Sequence, residues 1–325
     1  MIDGIGRNID YVRLSVTDRC NLRCVYCMPE EGVESISHDK ILRFQEILRI
    51  CRILASQGIR KVKLTGGEPL VRKGITELIR ELKQIDGIDN VTITTNGVLL
   101  EEMYDELVEA GIDAITVSLD TLDREVFKQI TRRDEAERVK RGIEKAVTEN
   151  KVPLKINCVP VLGIREQQLT ELVELARDHK VHVRFIEMMP IGMGSSFPFV
   201  KEDELRLTLE KTLGPLTPCD DVEGNGPCHY FAAEGLKGRI GFISAVSHKF
   251  CDSCNRIRLT AEGFLKTCLQ YDSGAELKPL LEGGCSDEEL AEVIIKALQE
   301  KPAGHNFGNA AVDGKERRGM SQIGG

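Results

Sequence analysis

Six short β-branched runs alternate with longer amphipathic stretches along the first two-thirds of the chain. The runs cover residues 11–16, 61–65, 91–95, 114–119, 154–160 and 181–187, and the amphipathic stretches cover 43–57, 75–84, 101–110, 135–150 and 166–179. In the first stretch Ile47, Ile50, Cys51 and Leu54 repeat at helical spacing. Gly58 and Gly111 stand where helices are expected to end. Strands alternating with helices specify right-handed βαβ units and a parallel sheet. Six such units in so short a span favour an α/β fold, a partial TIM-type (β/α)6 barrel, over a flat doubly wound sheet. Neither a GxGxxG fingerprint nor a GxxxxGK[ST] loop is present to suggest dinucleotide or P-loop chemistry.

After residue 190 the character changes. A loop rich in Gly, Ser, Met and Pro (190–199) precedes a helical pattern (201–213), a turn-rich stretch (215–227), candidate strands at 229–233, 239–244 and 256–260, a late helix (287–299), and a tail rich in Gly, Asn and charge. The 325 residues allow about two domains at roughly 150 residues each. The expected division is a barrel over 1–215 and an α+β portion over 216–325 that closes its mouth. No apolar run reaches the roughly 18 residues of a membrane span, and residues 1–10 carry no targeting pattern. A cytoplasmic location, with no membrane, is expected. The net charge is −8, from 44 basic and 52 acidic residues. This argues against non-specific nucleic-acid binding and requires a local basic site for any anionic substrate.

There are 11 cysteines, an odd number in a chain without a secretion signal, so no disulfide framework is expected. Three follow the first strand as Cys20-Asn-Leu-Arg-Cys24-Val-Tyr-Cys27, where the loops of a parallel barrel form its functional face. Three thiolates in this span can hold three corners of a 4Fe–4S cluster, which ordinarily takes four cysteines, leaving one iron open. A zinc site is the alternative, with His38 as a fourth ligand that spacing allows. A second triad, Cys251-Asp-Ser-Cys254 with Cys268, poses the same choice; Cys228 or Cys285 could complete a zinc site there. Cys51 and Cys158 are expected in the core, and Cys219 stays unassigned beside Cys228 and Cys285.

Strands of a covered parallel sheet usually read as continuous apolar runs. Arg13, Lys63, Lys155 and Arg184 interrupt four of them. A lone buried cation is costly unless paired. Internal ion pairs or solvent-facing strand ends would explain any one of these cations. Taken together, and with Arg256 and Arg258 two apart on one strand face, they point to a polar lumen that receives an anion, held by guanidinium forks.

The first triad's spacing resembles that of the radical S-adenosylmethionine superfamily. That resemblance implies that the open iron binds the amino and carboxylate groups of S-adenosylmethionine and that one electron releases a 5′-deoxyadenosyl radical. It further implies that Gly67, in Thr65-Gly-Gly-Glu-Pro69, contacts the methionine amino group, that Tyr26 lies beside the adenine, and that Ser118 and Met189 contact the cofactor. Without the resemblance, Thr65–Pro69 is a tight strand-to-helix turn with Pro69 opening the helix, and Ser118 and Met189 are plain strand-end residues.

Longer motifs narrow the resemblance. Arg13-Leu-Ser-Val-Thr-Asp-Arg-Cys20 through Cys27-Met-Pro29, Arg184-Phe-Ile-Glu-Met-Met189, Cys251-x2-Cys254-Asn-Arg-Ile-Arg-Leu-Thr260 with Cys268, and the terminal Gly324-Gly325 together resemble the GTP 3′,8-cyclase family of molybdenum cofactor biosynthesis. The resemblance spans essentially the whole chain. It implies a lyase with two 4Fe–4S clusters, the second on Cys251, Cys254 and Cys268 with an iron open to the guanine of GTP. Arg13, Lys63, Thr94, Lys155, Arg256, Ile257 and Arg258 match GTP-contacting positions, and Arg184 shares their cavity. Lys63 replaces an arginine found in some members, a point charge in place of a planar fork. The tail's Gly324-Gly325 would reach into the barrel and assist the chemistry alongside Arg13, Arg256 and Arg258. The charged run at 315–318 reads equally as a guide for the tail and as a solvated run. The partners implied are GTP, an electron donor and, downstream, cyclic pyranopterin monophosphate synthase; a homodimer is the commonest arrangement. Two other classes stand beside this one. One is a radical enzyme with an auxiliary cluster acting on another substrate, though the seven-cysteine C-terminal pattern of the peptide-modifying kind is absent. The other is a non-catalytic zinc-binding protein.

Overall fold

The computed structural model describes residues 1–34, 36–161, 165–220, 224–307, 316 and 318–324. Among the described residues twelve strands form one open sheet. In chain order they are β1 Tyr11–Ser15, β2 Lys61–Thr65, β3 Asn90–Thr95, β4 Ala114–Ser118, β5 Leu154–Cys158, β6 His182–Ile186, β7 Thr217–Cys219, β8 His229–Ala232, β9 Ile240–Ile243, β10 Arg256–Leu259, β11 Phe264–Lys266 and β12 Gly274–Glu276. Their order across the sheet is β12-β11-β10-β1-β2-β3-β4-β5-β6-β9-β8-β7. The first six strands are parallel neighbours in chain order, as the alternating pattern requires. The barrel is partial because the sheet does not close on itself.

Strands from the C-terminal third extend both edges. β10 pairs parallel with β1, and β9 pairs parallel with β6; antiparallel β11–β12 and β8–β7 then finish the two ends. One continuous sheet therefore runs through both parts of the chain.

Among the described residues ten α-helices accompany the strands: α1 Phe44–Ser56, α2 Ile75–Lys83, α3 Leu100–Glu109, α4 Arg124–Thr131, α5 Ala136–Glu149, α6 Glu166–Glu174, α7 Glu202–Leu213, α8 Lys278–Glu282, α9 Asp287–Gln299 and α10 Met320–Ile323. α1 buries Ile47, Ile50, Cys51 and Leu54 as its periodicity specified. Burying each such Leu or Ile side chain contributes about 1.5–3 kcal/mol. Cys158 is likewise core. No helix among the described residues is long and apolar enough to cross a membrane.

Several elements depart from the sequence reading. The helix expected over 166–179 ends at Glu174: the N–H groups of Leu175, Ala176 and Arg177 donate three residues back, to Leu172, Val173 and Glu174, and the carbonyls of Ala176 and Arg177 then accept from Gly238 and Lys237. Pro69 opens a short 3-10 turn, Pro69–Val71, and α2 begins only at Ile75. α4 has no counterpart among the amphipathic stretches of the sequence; its start is marked by Asp123, whose carboxylate accepts from the Val126 N–H. β7, within the turn-rich stretch, exists through its pairing with β8.

Candidate active site

Each barrel strand divides its side chains between two faces. Val12, Leu14, Val62, Leu64, Ile115 and Val183 turn outward to the helices and are at most 1% exposed. The intervening residues turn inward, and most of them are polar or charged. They line a cavity of about 910 Å³ that runs through the barrel. Register decides which of them meet. Arg258, Arg13 and Lys63 pair directly across β10, β1 and β2, so three cations stand side by side. Facing strands add Lys155, paired with Thr116, and Arg184, paired with Asn157.

Among the described residues, the partners of Lys63, Arg184, Arg256 and Arg258 are neutral. Lys63 and Arg184 donate to the Thr116 hydroxyl at 3.4 and 3.3 Å. The Arg256 guanidinium lies 4.8 Å from the Phe250 ring centre, and the Lys155 ammonium lies 6.0 Å from that of Tyr230. Arg184 Nε has no hydrogen-bond partner among the described residues. Burial first, then Arg184, Arg13 and Lys155, holds the Lys63 ammonium well below its ordinary pKa. Burial, Arg13 and Arg256 do the same to Arg258. Cations buried beside neutral partners favour a bound anion. Thr94 also lines it, paired with Thr116. Ile257 is 1% exposed and belongs to the core behind Arg256 and Arg258, so its side chain faces away from theirs.

Cys20, Cys24 and Cys27 sit over the C-terminal ends of the strands. Their loop is pinned to α4: the Arg23 and Val25 N–H groups donate to Thr131 and Ile130. The Arg132 guanidinium donates to the carbonyls of Arg23 and Met28. The Leu22 N–H donates to Cys20 Sγ at 3.4 Å, and Asn96 Nδ2 approaches the same sulfur at 3.7 Å while donating to Asn21 Oδ1 at 2.7 Å. Asn96 is itself held by Glu68, whose carboxylate accepts from the Asn96 N–H at 2.6 Å and the Thr95 hydroxyl at 2.7 Å. Burial raises that carboxyl to about 7. Burial also pushes the Cys20 thiol up to about 11, and burial with Cys20 nearby pushes Cys27 up to about 12. Three thiols that oppose one another's ionisation call for a positive centre.

The same loop carries Tyr26, whose hydroxyl donates to Asp120 at 2.6 Å. Ser118 and Met189 line the cavity at this end. Gly67 is required by the chain itself: a Cβ there would stand 2.4 Å from the Arg19 carbonyl oxygen. The Thr65–Pro69 turn and the cysteine loop are thus packed backbone to backbone.

Cys251 and Cys254 precede β10 and Cys268 follows β11, which puts the second triad at the opposite end of the lumen. The His305 N–H donates to Cys251 Sγ at 3.4 Å. Burial opposes ionisation of Cys254, but Lys301 and Arg256 outweigh it and bring the thiol below its ordinary value. Arg7 ties this end together. It is ion-paired to Asp3 at 2.6 Å with both side chains buried, and it donates to the carbonyls of Cys251, Pro302 and Ala303 at 2.8–2.9 Å.

Both donor sets fit iron–sulfur clusters. They are all-thiol triads with N–H groups aimed at sulfur, the surroundings that tune such clusters. Among the described residues no three Cys, His, Asp or Glu side chains converge as ligands of a single ion, which is the arrangement a zinc site would need.

The tail enters between the two ends. Met320 and Ser321 line the cavity; Ile323 is 1% exposed, and the Arg258 guanidinium donates to the Gly324 carbonyl. Gly325 lies outside the described residues. Sequence reasoning singled out neither Arg7, Asn96 nor Thr116. The only signal for them was their place beside motifs, because a polar residue's partner is set by tertiary contact.

Residues 14–176 match the family model described as the Radical SAM superfamily, and residues 181–307 match that described as Molybdenum Cofactor Synthesis C. The GTP 3′,8-cyclase of Clostridium perfringens (strain 13 / Type A) is 45% identical over 325 residues, covering 100% of both chains. That of Syntrophomonas wolfei is 46% identical over 331 residues, again covering 100% of both. Among solved structures, Streptococcus suis SuiB bound to precursor peptide SuiA superposes with a TM-score of 0.63 at 17% identity, covering 98% of this chain and 77% of that one. SuiB bound to S-adenosylmethionine gives 0.60, covering 90% and 68%. At that identity the likeness concerns the fold alone. The full-length relatives carry the assignment further, and it agrees with two thiol triads facing each other across a cationic lumen: the chain belongs to the GTP 3′,8-cyclase family of radical S-adenosylmethionine enzymes.

Proposed function

We propose that this chain cyclises GTP to (8S)-3′,8-cyclo-7,8-dihydroguanosine 5′-triphosphate, the first step of molybdopterin biosynthesis, inside the lumen between its two thiol triads. One observation carries the reading: the in-register row Arg258–Arg13–Lys63 lies in the same cavity as both triads. A triphosphate there meets cations already stripped of water.

Two 4Fe–4S clusters and S-adenosylmethionine supply one-electron radical chemistry when bound. The protein's work is placement and exclusion. Cys20, Cys24 and Cys27 would hold the first cluster, with Gly67, Tyr26, Ser118 and Met189 around S-adenosylmethionine. Cys251, Cys254 and Cys268 would hold the second. Arg13, Lys63, Lys155, Arg184, Arg256 and Arg258 grip phosphates and ribose as hydrogen-bond donors, Thr94 adds a hydroxyl, and Ile257 contributes backbone. The tail through Gly324 covers the lumen, so that hydrogen leaves C3′ of the ribose and C3′ joins C8 of guanine away from water. On this reading residues 1–215 hold the radical-forming half and 216–325 the substrate half. The chain takes electrons from a separate donor, passes its product to cyclic pyranopterin monophosphate synthase, and works as a cytoplasmic homodimer.

Anaerobic reconstitution tests the reading. About eight irons per chain, with 5′-deoxyadenosine and cyclised product formed only with GTP, are expected. Eight irons without GTP-dependent turnover would reject the substrate; zinc in place of iron would reject the radical chemistry.

A further inference from the structure

The ion pair between Lys266 and Glu316 is almost closed to solvent, its side chains being 0% and 3% exposed. Neither residue has a part in the proposed function. Lys266 ends β11, two residues before Cys268, and Glu316 lies in the tail that leads to Gly324.

Glu316 is fastened from several sides. Its carboxylate accepts from Arg318 Nε and Nη2, each at 3.0 Å, as well as from Lys266. Its N–H donates to the Gln270 carbonyl at 2.7 Å. The Arg318 guanidinium lies 4.6 Å from the Phe264 ring centre, at the start of β11, and Lys266 also donates to the Tyr271 carbonyl. Burial works against the Glu316 carboxylate, but the Arg318 and Lys266 hydrogen bonds outweigh it and hold it at about 2.

A buried ion pair is a weak stability device, because desolvation offsets much of its attraction; its best-attested use is to fix register. Register matters directly beyond this pair. α10 follows Arg318 at once, burying Ser321 and Ile323 and presenting Met320 and Ser321 to the lumen. A slip of one residue turns a helix by about 100°, which would expose Ile323 and carry Gly324 away from Arg258.

We infer that Glu316 is a positioning residue: its pairing with Lys266 sets the register in which the tail enters the lumen and so places Gly324 against Arg258. The pairing also ties the tail to the strand that leads into Cys268. The effect on turnover rests on the proposed function; the effect on the tail's docking does not.

The test compares Glu316→Ala, Glu316→Gln and Lys266→Met with the reconstituted wild-type protein. Iron content and GTP binding are expected to be unchanged, while Tm falls by several degrees in Glu316→Ala, which leaves Lys266 buried without its partner charge. Product formed per 5′-deoxyadenosine is expected to fall at least tenfold in Glu316→Ala and Lys266→Met, and trypsin to remove the tail at least tenfold faster. Glu316→Gln, which keeps an acceptor oxygen without the charge, is expected to fall between. Wild-type product ratio and trypsin rate in Glu316→Ala would overturn the inference, as would loss of iron from all three variants, which would make the role structural. If the wild-type protein fails to turn over GTP, the proposed function falls, while the trypsin rates still decide the docking.

Discussion

The guanidinium of Arg258 donates a hydrogen bond to the carbonyl oxygen of Gly324, joining a lumen strand to the last described residue of the chain. The link crosses 66 residues of sequence and makes the tail part of the cavity wall.

Gly324→Ala should undock the tail without unfolding the protein. The residue has φ +79°, and a Cβ there would lie 2.7 Å from Thr65 Oγ1. Strain of this kind is worth about 1–3 kcal/mol. Expected are unchanged iron and GTP binding, with product formation at least roughly tenfold lower. Full product yield by chromatography would show that the contact is dispensable.

The two ends of the lumen should separate by mutation. Replacing Cys20, Cys24 or Cys27 with Ala should abolish cleavage of S-adenosylmethionine. Cys251→Ala, and also Arg7→Ala, should lower iron from about eight to about four per chain and stop cyclisation while leaving the first cluster's spectrum in place. Arg7→Ala strands buried Asp3 as well, which should cost about 3–5 kcal/mol. Iron analysis and electron paramagnetic resonance check this; cyclisation by Cys251→Ala would remove the second triad's role.

Lys63 should report substrate through protons. Burial and neighbouring cations hold its pKa well below the ordinary value; a triphosphate supplies opposite charge and raises it. GTP binding should therefore take up protons between those two pKa values. Calorimetry in buffers of different ionisation enthalpy measures the uptake, and Lys63→Met should lose most of it while KM for GTP rises about tenfold or more. The same shift has a stability sign. The unfolded chain holds this proton more tightly, so the Lys63 contribution to stability rises as pH climbs through the folded pKa toward that of ordinary lysine. Equal uptake in Lys63→Met would exclude this residue from the phosphate site.

Asn96→Leu removes the N–H aimed at Cys20 Sγ. Donors to cluster sulfur favour the more negative, reduced form. The first cluster's midpoint potential should move more negative in a potentiometric titration, with iron content retained. An unchanged potential would make Asn96 merely a loop brace through Asn21.

Much of the fold was legible because barrel strands and helices advertise themselves by periods of two and 3.6. α1, β2 and α9 fall where their patterns placed them, to within a residue. α4 was not legible: it is short and charge-rich, and it is held by packing under the cysteine loop. β7 and β12 are three-residue strands that exist only through their partners. In the site, the ligand cysteines were legible from spacing, and the cations from their intrusion into apolar strands. Glu316 read as one charge in a solvated run until Lys266 was seen beneath it.

By itself the sequence determined which chemistry the chain can hold, because thiol spacing and misplaced cations are local facts of order along a strand or loop. It also determined the parallel βαβ plan, since amphipathic period is local too. Only the tertiary structure decided that Arg258, Arg13 and Lys63 stand in one row, that the triads face each other from opposite ends of the cavity, and that Gly324 meets Arg258. Those are matters of register between strands distant in sequence, and register is set by which side chains can be buried together once the sheet has formed.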